Sequence, residues 1–303
     1  MSLVKLALLT LIAYSLTVFF VHAQTAPVGS VGLLTGRIQS TDNQPLAYVS
    51  IGIPGTPVGT VSTEAGTFSL TLKPETAPTD SVRFSILGYA PLTLTVASLR
   101  QRLETGQALS LTETARQLAE VRIKPVPGKT IGNQRVATNM NTNLMLNSQP
   151  SQNLGSEVGR RFNLPGRTVR LTQYRAYVES NFEGVTLRIN VYEARSMKPL
   201  LNRNVYVKIT GKHSNWIEVD LEPLNLVAEG DVVASVQWVD SEGKGSYLGL
   251  PIQMPAFATH MYKYGSQNKW KTFRGMSTAM TLAFSPVDKD DVNAGPESLT
   301  LAK

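Results

Sequence analysis

The sequence predicts an all-β protein made of two sandwich modules in tandem. Short β-branched runs recur along the chain, turn residues separate them at near-even spacing, and the helical period of about 3.6 residues is almost absent. In the first module, residues 31–38 form an apolar run, and Ser40-Thr41-Asp42-Asn43-Gln44-Pro45 supplies a turn. Residues 46–53 alternate, with Leu46, Tyr48 and Gly52 on one side and Val49, Ile51 and Ile53 on the other. Pro54-Gly55 and Pro57 then break the strand. Further strands are expected at 59–62, 67–72, 81–87 and 92–96, a spacing that suits a sandwich or barrel. Only residues 97–103 could wind into a turn or two of helix.

Four segments of this module carry a family signature. They are Thr35-Gly36-Arg37-Ile38, Gln44-Pro45-Leu46-Ala47-Tyr48-Val49-Ser50-Ile51, Gly59-Thr60-Val61-Ser62-Thr63-Glu64-Ala65-Gly66-Thr67-Phe68-Ser69-Leu70, and Phe84-Ser85-Ile86-Leu87-Gly88-Tyr89. In order and spacing they resemble the carboxypeptidase-regulatory-like domain common in envelope proteins of Bacteroidetes. The resemblance spans residues 32–123, ends on Leu118-Ala119-Glu120-Val121, and implies a small transthyretin-like β-sandwich at 31–124. Gln44, where Gly is frequent, and Glu64-Ala65 before Gly66 depart from the pattern, both in turns. The residues of the signature read as structural: Gly66 can take positive φ at a tight reversal, Phe68 and Leu70 share a face, and Tyr89 covers a sandwich end.

Residues 125–154 read as a polar, turn-rich linker. Strand patterns return at 168–178 and 185–192, where Val185, Leu187, Ile189 and Val191 share one face and Arg188 and Asn190 the other. They continue at 205–209, 216–221, 232–238, 256–264 and 279–284. This predicts a jelly-roll-like sandwich over 155–285, with a fibronectin-like sandwich as the competitor, and a polar tail over 286–303. The order Leu-Arg-Ile-Asn-Val-Tyr, Trp-Ile-Glu-Val-Asp-Leu, Val-Ala-Ser-Val-Gln-Trp-Val is similar to the region that accompanies the regulatory-like domain in uncharacterised Bacteroidetes proteins, and faintly to carbohydrate-binding jelly rolls.

Residues 1–23 read as a cleavable secretory signal: Lys5, an apolar stretch over 6–20, and Val21-His22-Ala23 before the cleavage point. Removing them lowers the net charge from +7 to 28 − 22 = +6, with 20 basic and 15 acidic residues over 126–303. That surplus could favour anionic glycans or lipid headgroups, although a soluble basic surface is the simpler reading. The chain has no cysteine, which excludes disulfides, thiolate metal sites and a lipoprotein anchor. A periplasmic or outer-surface protein that is not a lipoprotein is therefore expected, without a transmembrane segment after cleavage and without nucleic acid as partner.

The sequence offers little for catalysis, cofactors or metals. The histidines His22, His213 and His260 give neither His-x-x-Glu nor the spacing of common zinc sites, so zinc carboxypeptidase chemistry is not expected despite the family name. No Gly-x-Ser-x-Gly is present. Residues 288–293 only partly match a calcium loop, lacking its Gly and its final Glu. Candidate ligand-binding residues are the aromatics Trp216, Tyr262, Tyr264 and Trp270, which could present flat platforms to sugars, and Arg160 and Arg161, which could face an anionic glycan. For each, core packing or a charged sheet edge is the competing role. The sequence thus predicts a non-catalytic envelope protein acting in adhesion or protein–protein scaffolding, its partner an envelope protein or a cell-surface glycan. Glycan binding through exposed aromatics and a hydrolase of unknown type are the alternatives.

Overall fold

The computed structural model describes residues 32–114, 128–138 and 140–287. The signal-like segment and the calcium-like stretch over 288–293 lie outside these residues. The first module comprises β1 (Leu33–Ser40), β2 (Ser50–Gly52), β3 (Gly59–Val61), β4 (Thr67–Thr71), β5 (Ser81–Ser85), β6 (Leu92–Thr95), α1 (Val96–Glu104) and β7 (Leu109–Leu111). A sheet ordered β4-β1-β7 packs on one ordered β3-β2-β5-β6. Alternation sets the faces: Phe68 and Leu70 of β4 are buried while Thr67, Ser69 and Thr71 face water, and Val82 and Phe84 repeat this on β5. The Phe68 and Phe84 rings meet edge-on across the sandwich, with centroids 5.7 Å apart. Gly66 takes φ +73° before β4, where a Cβ would lie 2.5 Å from the Ile38 carbonyl oxygen, so a side chain there would force the turn open. Thr95 caps α1 by accepting from the Ser98 N–H at 3.1 Å.

The second module comprises β8 (Lys129–Gly132), β9 (Met140–Asn143), β10 (Glu157–Phe162), β11 (Val169–Ser180), β12 (Gly184–Glu193), β13 (Val205–Thr210), β14 (His213–Asp220), β15 (Val227–Ala228), β16 (Val232–Glu242), β17 (Leu248–Gln253), β18 (Thr259–Lys263), β19 (Lys271–Arg274), β20 (Ser277–Thr278) and β21 (Met280–Pro286). One sheet runs β13-β12-β16-β10-β18-β19, and the other is built around β20-β17-β11-β21-β8. The chain passes from sheet to sheet at most connections, giving a jelly-roll-like sandwich. Its core includes Phe162, Tyr174, Phe182 and Trp238, all fully buried. The protein is all-β, as its strand pattern predicts. No helix among the described residues is long and apolar enough to cross a membrane.

The stretch read as a linker behaves differently from its composition. β8 pairs with β21 and β9 pairs with β17, both within the second module, and Leu144 is fully buried. The residues of β9 are Met-Asn-Thr-Asn, so no apolar alternation announces a strand. Backbone pairing to β17 holds the segment, and side-chain periodicity cannot report that.

Candidate functional site

The two modules meet over the outer face of the β13-β12-β16-β10-β18-β19 sheet. On β12, Leu187, Ile189 and Val191 enter the core, which turns Arg188, Asn190 and Tyr192 to the opposite face. Cross-strand register aligns Arg188 with Gln237, Gln237 with Glu157, and Glu157 with Lys263. One row of polar side chains thus crosses four strands. The first module covers the Arg188 end of this row, and Tyr192, Ser235 and Trp270 of the second module enclose its Glu157–Lys263 end.

Arg188 bridges the modules. Its Nη1 donates to the Tyr48 carbonyl oxygen at 3.0 Å, its Nη2 to Ser50 Oγ at 2.7 Å, and its Nε to Gln237 Oε1 at 2.9 Å. Tyr48 sits at φ +56°, a left-handed conformation uncommon for a bulky residue, and its ring packs 5.1 Å from that of Tyr206. The strained carbonyl is the one Arg188 holds.

A second clasp comes from the loop between β18 and β19. Ser266 Oγ donates to the Ile51 carbonyl oxygen at 2.6 Å, and Gln267 Nε2 donates to the Ser50 carbonyl oxygen and to Ser85 Oγ at 3.1 and 2.8 Å. The approach is close enough to require glycine. A Cβ on Gly265, at φ +81°, would lie 2.8 Å from the Pro57 carbonyl oxygen.

Glu157 is 0% exposed and is the sole buried acid among the described residues. Lys263 Nζ lies 2.6 Å from its Oε2, and Asn190, Tyr192 and Ser235 donate to its Oε1. Burial opposes the charge, yet Lys263 and the Ser235 and Asn190 hydrogen bonds together hold the Glu157 carboxyl below its usual range. The Lys263 ammonium also lies 4.9 Å over the Trp270 ring, which meets Tyr192 edge-on.

Beside this row, a cleft of about 490 Å³ opens between the modules. Its walls include Arg83, Tyr89, Asn190, Asn204, Lys263 and Gln267, and among the described residues no carboxylate lines it. The amide nitrogens of Asn190 and Asn204 each donate once to the protein, to Glu157 Oε1 and the Leu87 carbonyl oxygen, and that of Gln267 donates twice. Their side-chain carbonyl oxygens take no hydrogen bond from the described residues. The cleft therefore offers acceptors to a ligand that brings hydroxyl donors, with the Arg83 guanidinium and the Tyr89 ring at its wall.

The residues singled out in the sequence do not converge on one site. Trp216 lies on the outward face of β14, half-buried, with the Arg175 guanidinium 4.9 Å over its ring and Tyr177 at its edge, 5.6 Å between centroids. Tyr262 turns inward against the sandwich core, and burial raises the pKa of its phenol. The Tyr264 hydroxyl donates to the Gln152 carbonyl oxygen and accepts from the Asn147 amide. Trp270 packs under the Lys263 ammonium, and Ser266 and Gln267 of the same hairpin supply the module clasp. Arg160 points into the sandwich and Arg161 outward, where it pairs with Asp231 at 2.7 Å. Glu157, Arg188 and Lys263 are the groups that the sequence did not mark. Their one sequence signal is the charge of Arg188 inside a strongly apolar alternating strand.

The histidines do not meet. His213 opens β14, whereas His260 lies on β18, and the described residues hold no group of three His, Cys, Asp or Glu suited to a metal. His260 Nδ1 is 2.8 Å from Thr278 Oγ1, and burial pushes its imidazole down to about 4 from 6.5. The folded protein thus keeps His260 neutral at a pH where the unfolded chain takes up a proton. The stability tied to it is whole above pH 6.5 and is lost as pH falls toward about 4, on the order of 3 kcal/mol in all. Urea midpoints across this window should fall less steeply in His260→Gln than in the parent, and parallel curves would remove His260 as the cause.

Residues 34–123 match the CarboxypepD_reg-like domain. This regulatory-like domain supplies Tyr48, Ser50, Ile51 and Ser85 to the interface, and the match leaves the second module unassigned. No curated protein matches the chain. Among solved structures, the chain is similar to the clostridial cysteine protease Cwp84 after propeptide cleavage, at 10% identity and TM-score 0.35, over 53% of this chain and 40% of that one. It is also similar to the cysteine protease and lectin-like domains of Cwp84, a surface layer associated protein of Clostridium difficile, at 10% identity and TM-score 0.38, over 84% and 58%. The T13 viral particle of IBDV follows at 10% identity and TM-score 0.27, over 86% and 63%. The chain spans less than two thirds of each of these proteins.

Proposed function

We propose that the protein is a non-catalytic adhesion protein of the cell envelope, exported by residues 1–23, whose inter-module cleft binds a cell-surface glycan. The observation that supports this reading is the set of side-chain carbonyl acceptors on Asn190, Asn204 and Gln267 around a cleft that no carboxylate among the described residues lines. Sugar hydroxyls are donors that match such acceptors, and the Tyr89 ring gives an apolar face for the pyranose. Docking of the modules holds both walls of the cleft in place before a ligand arrives, which lowers the ordering cost of binding.

A glycan array tests the reading. The protein should bind a subset of glycans, and Asn204→Ala and Tyr89→Ala should each weaken that binding by roughly tenfold. Failure to bind any glycan, or binding that both variants retain in full, would overturn it.

A further inference from the structure

The loop between β17 and β18 carries Phe257, the most exposed of the large apolar side chains among the described residues, at 112% of its reference surface. Met254 in the same loop is 58% exposed, and Phe273 on the neighbouring β19 is also exposed. One exposed phenylalanine is ordinary, but three apolar side chains grouped at one end of a sheet mark a contact surface.

Beneath this rim lies a cavity of about 810 Å³ lined by Arg160, Arg161 and Arg274, with no carboxylate of the described residues in its lining; the charge of Arg161 is met by Asp231 at 2.7 Å. Arg160 Nη1 donates to Ser277 Oγ at 2.5 Å, its Nε is buried without a partner, and its guanidinium stands 5.1 Å over the Phe162 ring. Burial draws its pKa down to about 10. A cation held this way without a counter-charge is unfavourable, and an anion entering the cavity would supply one. Arg274 is exposed and makes no ion pair with the described residues. The flanking stretches 251–263 and 271–276 contain no Asp or Glu.

We propose that this end of the second module docks on an anionic phospholipid surface, with Arg160 and Arg274 holding a headgroup phosphate and Phe257 set between neighbouring headgroups. A protruding apolar tip beside two cations, Arg160 and Arg274, that have no carboxylate partner among the described residues is the arrangement of an interfacial anchor. The shape favours a membrane over a folded partner, because Phe257 projects outward and would need a deep apolar pocket on any protein it met. The proposal is independent of the glycan cleft, which is lined by other residues.

Vesicle flotation tests it. The protein should float with phosphatidylglycerol vesicles and remain behind with phosphatidylcholine vesicles, and added salt should release it. Phe257→Ser should weaken the binding by about tenfold, since one ring leaves the interface. Arg274→Gln should weaken it and reduce its salt dependence. Both side chains are exposed, and unchanged thermal midpoints would confirm that the variants fold. Inorganic phosphate supplies a third arm. Failure to float with phosphatidylglycerol, equal binding to both lipids, or phosphate binding with Phe257→Ser still floating fully would each overturn the proposal, the last by pointing to a free-anion site.

Discussion

Replacing Lys263 by methionine should lower stability by roughly 3–5 kcal/mol at neutral pH, because it leaves a buried carboxylate without its counter-charge. Glu157 is fully buried, and Lys263 is 11% exposed and 2.6 Å away. The three hydrogen bonds to Glu157 Oε1 would remain, but they do not replace a positive charge. Glu157→Gln with Lys263→Met together should recover much of the loss, since removing a whole buried pair is often close to neutral.

The pH dependence separates this cause from simple loss of packing. In the parent, the folded carboxyl of Glu157 lies below its ordinary 4.5, so its stabilisation is complete above that value and is lost as pH falls through the folded one. In Lys263→Met, burial acts without the ammonium to oppose it, and the folded carboxyl rises above 4.5. The folded variant then takes up a proton before the unfolded chain does. Its deficit against the parent should therefore narrow as pH falls from 8 toward about 5. His260 is present in both proteins and cancels in the difference. Urea midpoints across that range read the effect, and a deficit constant with pH would assign the loss to packing around Trp270 instead.

The sequence showed which side chains share a strand face, and it did so well on β12: Leu187, Ile189 and Val191 do enter the core, opposite Arg188 and Asn190. It could not show what lies over that second face. Parity is a property of one strand, whereas the row from Arg188 through Gln237 and Glu157 to Lys263 depends on the register of four strands distant in sequence. The same limit applies to Trp216. Its parity places it outward, but the Arg175 guanidinium over its ring comes from β11 through pairing alone. The Tyr262–Trp270 loop looked like a platform because aromatics flank a polar turn. Ser266 and Gln267 inside that turn are instead the residues that reach the first module.

Arg188 gives the sharpest test of whether that docking makes the protein one cooperative unit. Arg188→Ala should lower stability by about 3 kcal/mol or more, because the Gln237 Oε1, the Tyr48 carbonyl and the Ser50 hydroxyl lose a charged donor inside a buried contact. Tyr48 would keep its left-handed backbone with nothing holding its carbonyl, so part of the strain could be released by letting the modules part. Each module has its own apolar core, which allows either to persist when the contact fails. Calorimetry should then show one transition for the parent and two for Arg188→Ala. Arg188→Lys should fall between them, since an ammonium keeps the charge but cannot reach both Tyr48 and Gln237 as the planar guanidinium does. A variant that still unfolds in one transition would mean that the Ser266–Gln267 clasp suffices to couple the modules without Arg188.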